Sequence, residues 1–172
     1  PQEYFEEIKN ISISVLGAGK KTASKMSFAK AVSSGLIKNK WHAYWLAKEF
    51  SFFVNLGCNA SNFRIRQHDK KELAHYSSDC WDLEYSFPFG WRELEGIADR
   101  GDFDLNSHEK MSGKDLKVYD EESKKKYLPF VVAEPSLGVE RAFLVFMLEA
   151  YSIDKKRENV VLKLSPLLAP IK

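Results

Sequence analysis

Residues 80–98 hold the feature that most limits the fold. From Cys80 to Pro88 the chain alternates strictly: Trp81, Leu83, Tyr85 and Phe87 on one side, Asp82, Glu84 and Ser86 on the other. A period of two with one apolar face is a half-buried antiparallel strand. Phe89-Gly90 supplies a turn, and Trp91–Ala98 is the return strand. Continued alternation along that strand puts Trp91, Glu93, Glu95 and Ile97 on one face and Arg92, Leu94, Gly96 and Ala98 on the other. A hairpin of this kind needs a sheet around it and apolar cover on one face.

The rest of the chain supplies that cover. Residues 41–56 (Trp41, Trp45, Leu46, Phe50, Phe53, Val54 and Leu56 along a stripe) read as an amphipathic helix ended by Gly57. Val139–Tyr151 reads as a second, more apolar helix. Further strands are expected at Ile11–Leu16, Asn62–Gln67, Leu128–Glu134 and Val160–Leu164, the third of these central because both its faces are apolar. Gln2–Lys9, Lys70–His75 and Asp104–Met111 are expected as short helices. Thr22 is expected to cap a helix running to Ile37. The order of these elements is α+β, an antiparallel sheet flanked by helices, and not βαβ winding.

Composition agrees with a globular chain of one ordinary domain, 172 residues with 44% hydrophobic and 29% charged. A net charge of +2 is too small to indicate nucleic-acid binding by itself. Basic clusters at Lys38–Lys40, Lys124–Lys126 and Lys155–Arg157 read as solvated loops and helix ends. No apolar run reaches membrane-spanning length and no signal-peptide pattern opens the sequence, which points to the cytoplasm. Cys58 and Cys80, with His68 and His75 between them, match no common zinc spacing and read as ordinary thiols. GAGKK at 17–21 lacks the full phosphate-loop spacing and reads as a turn.

Chemistry concentrates in AEPSLGVERAF, residues 133–143. A charge at each end of an apolar strand-to-helix junction is costly unless paired. If the strands carrying Glu93 and Glu134 are neighbours, two carboxylates converge in a desolvated place. Such a pair shares a proton, binds a cation, or is neutralised by Arg92, Arg100 or Arg141. Ser136 reads either as a helix N-cap or as a ligand contact. Gly138 leaves room for close approach. Arg141, in the first helical turn, is suited to phosphate oxygens or an aromatic ring.

The stretch EPSLGVERAFLVFMLEAY resembles the third signature motif of class II aminoacyl-tRNA synthetases, in its glycyl-tRNA synthetase form. FPFGWRELEGIADRGDFDLNSHEKMSG and FRIRQHDKKELAHYSSDCWDLEY resemble the preceding region of the dimeric glycine enzymes, and ENVVLKLSPLLAPIK their passage into the anticodon-binding domain. The resemblance runs from Trp41 to Lys172. It implies a partial class II catalytic domain: residues 1–40 unassigned, 41–157 partial core, 158–172 the start of the passage to an anticodon-binding domain.

The resemblance further implies ATP-dependent activation of glycine to glycyl-adenylate and transfer to tRNA-Gly, with Mg2+ assisting. Glu134, Pro135, Ser136, Leu137 and Gly138 correspond to the family's glycine pocket. Glu93 and Leu94 correspond to an ATP-contacting pair, with Glu93 near magnesium. Gly138, Val139, Glu140 and Arg141 correspond to a second ATP segment, with Arg141 on the nucleotide. Arg100 is a further candidate. Glu93 and Arg141 are the residues closest to the chemistry, which is positioning and charge stabilisation.

The family is homodimeric. Its first signature motif, which builds the dimer interface, is not found here, nor is the second, which supplies an arginine for the α-phosphate. Phe63-Arg64-Ile65-Arg66 has no following Glu and is not that motif. The chain alone is therefore expected to catalyse poorly or not at all. A non-catalytic, synthetase-like accessory or nucleic-acid-binding subunit is the alternative; such relatives tend to lose the pocket acids and the ATP arginine, and Glu93, Glu134, Ser136 and Arg141 are all present.

Overall fold

A computed structural model describes residues 2–171. Its centre is the expected hairpin, β4 (Asp79–Phe87) and β5 (Gly90–Asp99). Four more strands extend it: β1 (Ser12–Leu16), β2 (Ser24–Ser27), β3 (Phe63–Gln67) and β8 (Glu134–Leu137), in the order β2-β1-β3-β4-β5-β8. All neighbours are antiparallel except β1 and β3, so the sheet is mixed and not purely antiparallel. The parallel pair arises because α2 (Phe28–Ser33) and α3 (Lys40–Asn55) lie between β1 and β3 in the chain and return it across the sheet. Two small hairpins stand apart, β6 (Val118–Asp120) with β7 (Lys125–Tyr127), and β9 (Tyr151–Asp154) with β10 (Asn159–Leu162).

One face of the sheet is covered by helices. Trp81, Leu83, Phe63, Ile65 and Ile97 are buried against α3, whose inward residues are His42, Ala43, Leu46, Ala47, Phe50 and Phe53. The expected stripe is rotated, since Trp45 is exposed and small Ala43 and Ala47 let the helix sit close to the strands. Residues 2–40, to which the sequence assigns no role, join the same core through α1 (Gln2–Ile8), β1 and α2, with Phe5, Ile8, Val15, Phe28 and Ile37 buried. The helix α5 (Val139–Ala150) packs beside α3, with Phe146 stacked on Phe53 at 5.5 Å.

Several expected elements differ. Residues 24–27 are an edge strand bonded to β1, and the helix starts only at Phe28, capped by Ser27 and not by Thr22. Lys70–His75 forms turns, because it has no apolar stripe to bury and its acid Glu72 bonds back to Arg66 and the Asp69 amide. Residues 128–133 are not a central strand. Phe130 is exposed, only Val131 bridges to Gly101, and the strand begins at Glu134, where β5 first offers a ladder. Among the described residues β8 is an edge strand.

The hairpin itself carries a bulge. Leu83 pairs with Glu95 but Glu84 pairs with Glu93, so Leu94 is the extra residue. Leu94 and Glu95 are both 1% exposed. The bulge breaks the alternation expected from the sequence: Glu93 faces away from the core and Glu95 into it.

Buried polar groups pin the layers. His42 Nε2 lies 3.0 Å from the Ile97 carbonyl, tying α3 to β5, and burial holds its imidazole below the ordinary value and neutral. Glu149 accepts from Tyr85 Oη and Asn62 Nδ2, both at 2.7 Å, and from the Asn59 amide at 3.0 Å, tying α5 to β4 and to the turn before β3. Glu95 is different. Its Oε2 has no hydrogen-bond partner, and burial, with Glu49 nearby, pushes its carboxyl up to about 8. It is a neutral acid in an apolar setting.

Two outcomes follow from these anchors. Glu149→Ala leaves a phenol and two amides without their acceptor and is expected to lose about 2–3 kcal/mol in denaturant unfolding. For Glu95 the folded state holds a proton that the unfolded state releases above its ordinary 4.5, so stability falls as pH rises from about 4.5 to about 8. Glu95→Gln is expected to remove that slope, at most about 1.4 kcal/mol per pH unit. Melting curves of the two proteins should converge near pH 4.5 and separate by pH 8, with the variant the more stable; a constant separation refutes the assignment.

Candidate functional site

The face of the sheet away from the helices is polar. β3 contributes Arg64 and Arg66, β4 contributes Cys80, Asp82 and Glu84, β5 contributes Glu93, Gly96 and Ala98, and β8 contributes Glu134 and Ser136. Register explains the grouping. Asp82 sits opposite Gly96, which sits opposite Ser136, and Ala98 sits opposite Glu134. Apart from Arg64, Arg66 and Glu84, these residues line a cleft of about 300 Å³ together with His68, Tyr76 and Arg100. Gly96 keeps its floor open: a Cβ there would stand 3.6 Å from Glu93 Oε1 and 3.9 Å from Asp82 Oδ1.

Glu134 opens β8 at the cleft rim, and its partner is Arg100. Arg100 Nη1 donates to Glu134 Oε2 at 2.9 Å, while its other nitrogens donate to both oxygens of Asp104, at 2.6 and 2.8 Å. The guanidinium lies over the Tyr76 ring at 3.9 Å. Hydrogen bonds from Asp104 and Glu134 raise its already high value, so it remains a fixed cation. Of the alternatives open in the sequence, Arg100 is therefore the one that meets Glu134.

Glu93 lies in the same cleft, so the two acids do converge. They are not desolvated, however: the side chains of Glu93 and Glu134 are 51% and 47% exposed. The bulge is the cause for Glu93, since it turns that residue to the open face.

Ser136 is a strand residue aimed at the cleft and not a helix cap. The N-cap of α5 is Gly138, with no side-chain cap bond. An alanine at 138 would meet only Arg141 Cγ, at 4.0 Å, so internal packing does not demand glycine there. Pro135 and Leu137 alternate with Glu134 and Ser136 and pair with Ile97 and Glu95; Leu137 packs against the core and Pro135 is exposed. They hold the strand and do not line the cleft.

Arg141 stands in the first turn of α5 and donates to the Glu93 carbonyl at 2.8 Å, with the Glu93 carboxylate 3.9 Å away. It lines a second, more apolar cleft of about 440 Å³ with Phe87, Phe89, Arg92, Glu93 and Leu144. Phe87 and Phe89 stack in parallel at 5.1 Å. Glu93 belongs to both clefts. Leu94 is buried beneath and presents no side chain to either, while Val139 and Glu140 are exposed on the same turn as Arg141.

Sequence reasoning did not single out Asp82, Gly96, Phe87 or Phe89, and it took His68 only together with Cys58, Cys80 and His75, as a zinc spacing that it rejected. Cys80 and Asp82 share the polar face of β4 by alternation alone, but only the β3–β4 pairing brings His68 beside them. Cys58 and His75 lie elsewhere, Cys58 buried near Glu149 and His75 against Phe103. Burial and the nearby Asp82, Asp79 and Glu93 push the Cys80 thiol up to about 12, so it rests protonated. The three basic clusters are largely exposed, Lys38–Lys40 at the start of α3, Lys124–Lys126 at the turn into β7 and Lys155–Arg157 on the turn between β9 and β10. Among the described residues no helix is long and apolar enough to cross a membrane.

Arg100 is the joint of the first cleft, and removing it tests that geometry. Arg100→Ala leaves Glu134 and Asp104 without their shared cation. Because these groups are partly solvated, the loss in thermal stability is expected to be small. A loss as large as that of Glu149→Ala would mean a buried network instead.

No family model matches the chain. Individual proteins do. The glycine–tRNA ligase of Thermobifida fusca is 43% identical over 143 residues, covering 77% of this chain and 31% of that protein. That of Clostridium tetani is 48% identical over 136 residues, covering 77% and 29%. That of Alkaliphilus oremlandii is 48% identical over 138 residues, again covering 77% and 29%. The chain thus spans about three tenths of the length of these relatives. Over most of its own length it is related to the glycine–tRNA ligases.

Proposed function

We propose that this chain carries the amino-acid side of a glycine–tRNA ligase centre, within a class II synthetase catalytic fold. The carrying observation is the joined pair of clefts that meet at Glu93, one lined by Glu134, Ser136 and Gly96, the other by Arg141 and two stacked phenylalanines. The relatives' identity of 43–48% supports the same reading.

In this proposal the first cleft takes glycine. Glu134, with Glu93 opposite, offers negative charge to the ammonium, Ser136 offers a hydroxyl, and Arg100 holds Glu134 in place. Gly96 contributes by lacking a side chain, and a crowded rim rejects alanine more strongly than the ~1–3 kcal/mol a methyl group is worth in a roomy pocket. The second cleft takes ATP. Arg141 presents its guanidinium to the nucleotide, and the segment 138–141 places the N-terminus of α5 toward anionic oxygens. The Leu94 contribution is its backbone, since its side chain is in the core.

Attack of the glycine carboxylate on the α-phosphate, forming glycyl-adenylate as pyrophosphate leaves, then needs alignment across Glu93 and no side-chain nucleophile. Mg2+ is held by one or two carboxylates together with substrate phosphates, and exposed Glu93 fits that role. When bound, the ion offsets phosphate charge. Transfer to tRNA-Gly and homodimer formation belong to the same proposal for the full-length relatives. The non-catalytic alternative is weakened because Glu93, Glu134, Ser136 and Arg141 all stand at the clefts.

Thermal unfolding with a non-hydrolysable glycyl-adenylate analogue tests the proposal. At about a hundred times its dissociation constant the analogue is expected to add about 2.7 kcal/mol. The alanyl analogue should add much less, and Glu134→Ala or Gly96→Ala should remove the difference. A Cβ at Gly96 makes only ordinary contacts, so that variant should fold normally. Equal shifts with both analogues, or none, would overturn the glycine pocket. The chain by itself, with no second-motif arginine in these residues, is expected not to sustain glycine-dependent pyrophosphate exchange.

A further inference from the structure

We propose that His68, Cys80 and Asp82 form a binding site for a zinc-class divalent cation on the floor of the first cleft. One ring nitrogen of His68, the Cys80 Sγ and one carboxylate oxygen of Asp82 lie within 4.8 Å of one another. Their grouping is built by the sheet. Cys80 and Asp82 are two residues apart on one face of β4, and the His68 amide bonds the Cys80 carbonyl at 3.0 Å, continuing the β3–β4 ladder by one residue. All three donors are therefore on backbone fixed by pairing, not on a loose loop.

The donor set is one imidazole, one thiol and one carboxylate. This mixture suits zinc and its neighbours, and does not suit magnesium or calcium, which take oxygen. A tetrahedral zinc holds its ligand atoms about 3.3–3.6 Å apart. His68 Nε2 and Asp82 Oδ1 are now 2.7 Å apart, hydrogen-bonded to each other, so side-chain adjustments of about an ångström complete the geometry.

The surroundings fit a ligand set. Asp82 is 3% exposed, and its second oxygen is held by Arg66 Nη2 at 2.8 Å, which orients the carboxylate as outer partners of metal ligands do. Arg66 is itself met by Glu72 and Glu84, so its charge is already compensated. The fourth position faces the cleft, where Gly96 leaves space beside Asp82 Oδ1 and Glu93 Oε1. Water or a small ligand fills it.

On binding, the Cys80 thiol releases its proton to solvent and the sulfur bonds the metal. The proton that His68 Nε2 shares with Asp82 leaves to solvent, Nδ1 carries the ring's single proton, and Nε2 bonds the metal. The Asp82 carboxylate exchanges its hydrogen bond from His68 for a metal bond. Thiolate and carboxylate together balance the dication.

Cobalt(II) is the probe, because a thiolate bonded to it gives a near-ultraviolet charge-transfer band and four-coordination gives strong visible bands. The whole chain, freed of metal with a chelator, is titrated with Co2+. The expected result is one equivalent bound with both sets of bands, displaced by Zn2+ and not by excess Mg2+. Cys80→Ser should lose the near-ultraviolet band. His68→Ala and Asp82→Asn should each weaken binding at least about tenfold. Cys58→Ser, which removes the other thiol, should change nothing. Circular dichroism of each variant establishes that it is folded. Absence of a charge-transfer band in the wild-type chain, or a band that follows Cys58 and not Cys80, overturns the site. The readout involves neither glycine nor adenylate, so it stands or falls separately from the ligase proposal.

Discussion

The bulge between β4 and β5 is the constraint on which the site depends. Regular pairing would send Glu93 and Glu95 to the same side of the sheet. One extra residue, Leu94, separates them: Glu93 turns out to border both clefts and Glu95 turns in beneath the helices. The strand then regains its phase, so Gly96 and Ala98 face the open side opposite Ser136 and Glu134. Bulges re-aim side chains at a local cost in hydrogen bonding. Here the re-aiming supplies one cleft wall, and the cost includes a carboxyl buried in the core.

That buried carboxyl explains how the layers differ. His42 and Glu149 are buried or half-buried polar groups with satisfied partners, and each fixes one helix to the sheet. Glu95 has no such partner for its Oε2 and accommodates by staying protonated. The open face is organised the other way, by charge pairing. Arg64, Glu84, Arg66, Asp82 and His68 form a continuous run of ion pairs and hydrogen bonds across β3 and β4. Arg100 links Glu134 to Asp104 at the far rim. A helix-covered face and a polar face on one sheet give a rigid support with its chemistry exposed, which is the arrangement a binding site needs.

Much of this was legible in the residues. The hairpin, the amphipathic helix at 41–56 and the apolar helix after Gly138 follow from periodicity, because a strand alternates every two residues and a helix every 3.6. The tie between Glu134 and an arginine follows from the cost of an unpaired charge, though not which arginine. What escaped was whatever depends on a neighbour distant in sequence. The edge strand at 24–27 is too polar to signal itself, and the false central strand at 128–133 had apolar residues but no ladder to join. From sequence Ser136 reads as a cap or as a ligand contact, and only its pairing with Gly96 places it in a strand.

The sequence by itself determined the α+β class and the hairpin at the centre, and marked Glu93, Glu134, Ser136 and Arg141 as candidates, since local period and local charge cost are properties of short segments. Tertiary structure alone decided which faces those residues share. It placed Asp82, Gly96 and Ser136 in one row across three strands, brought His68 beside Cys80, and turned Glu95 inward. Strand register and the single-residue bulge are set by packing over the whole core, and a shift of one residue exchanges the two faces.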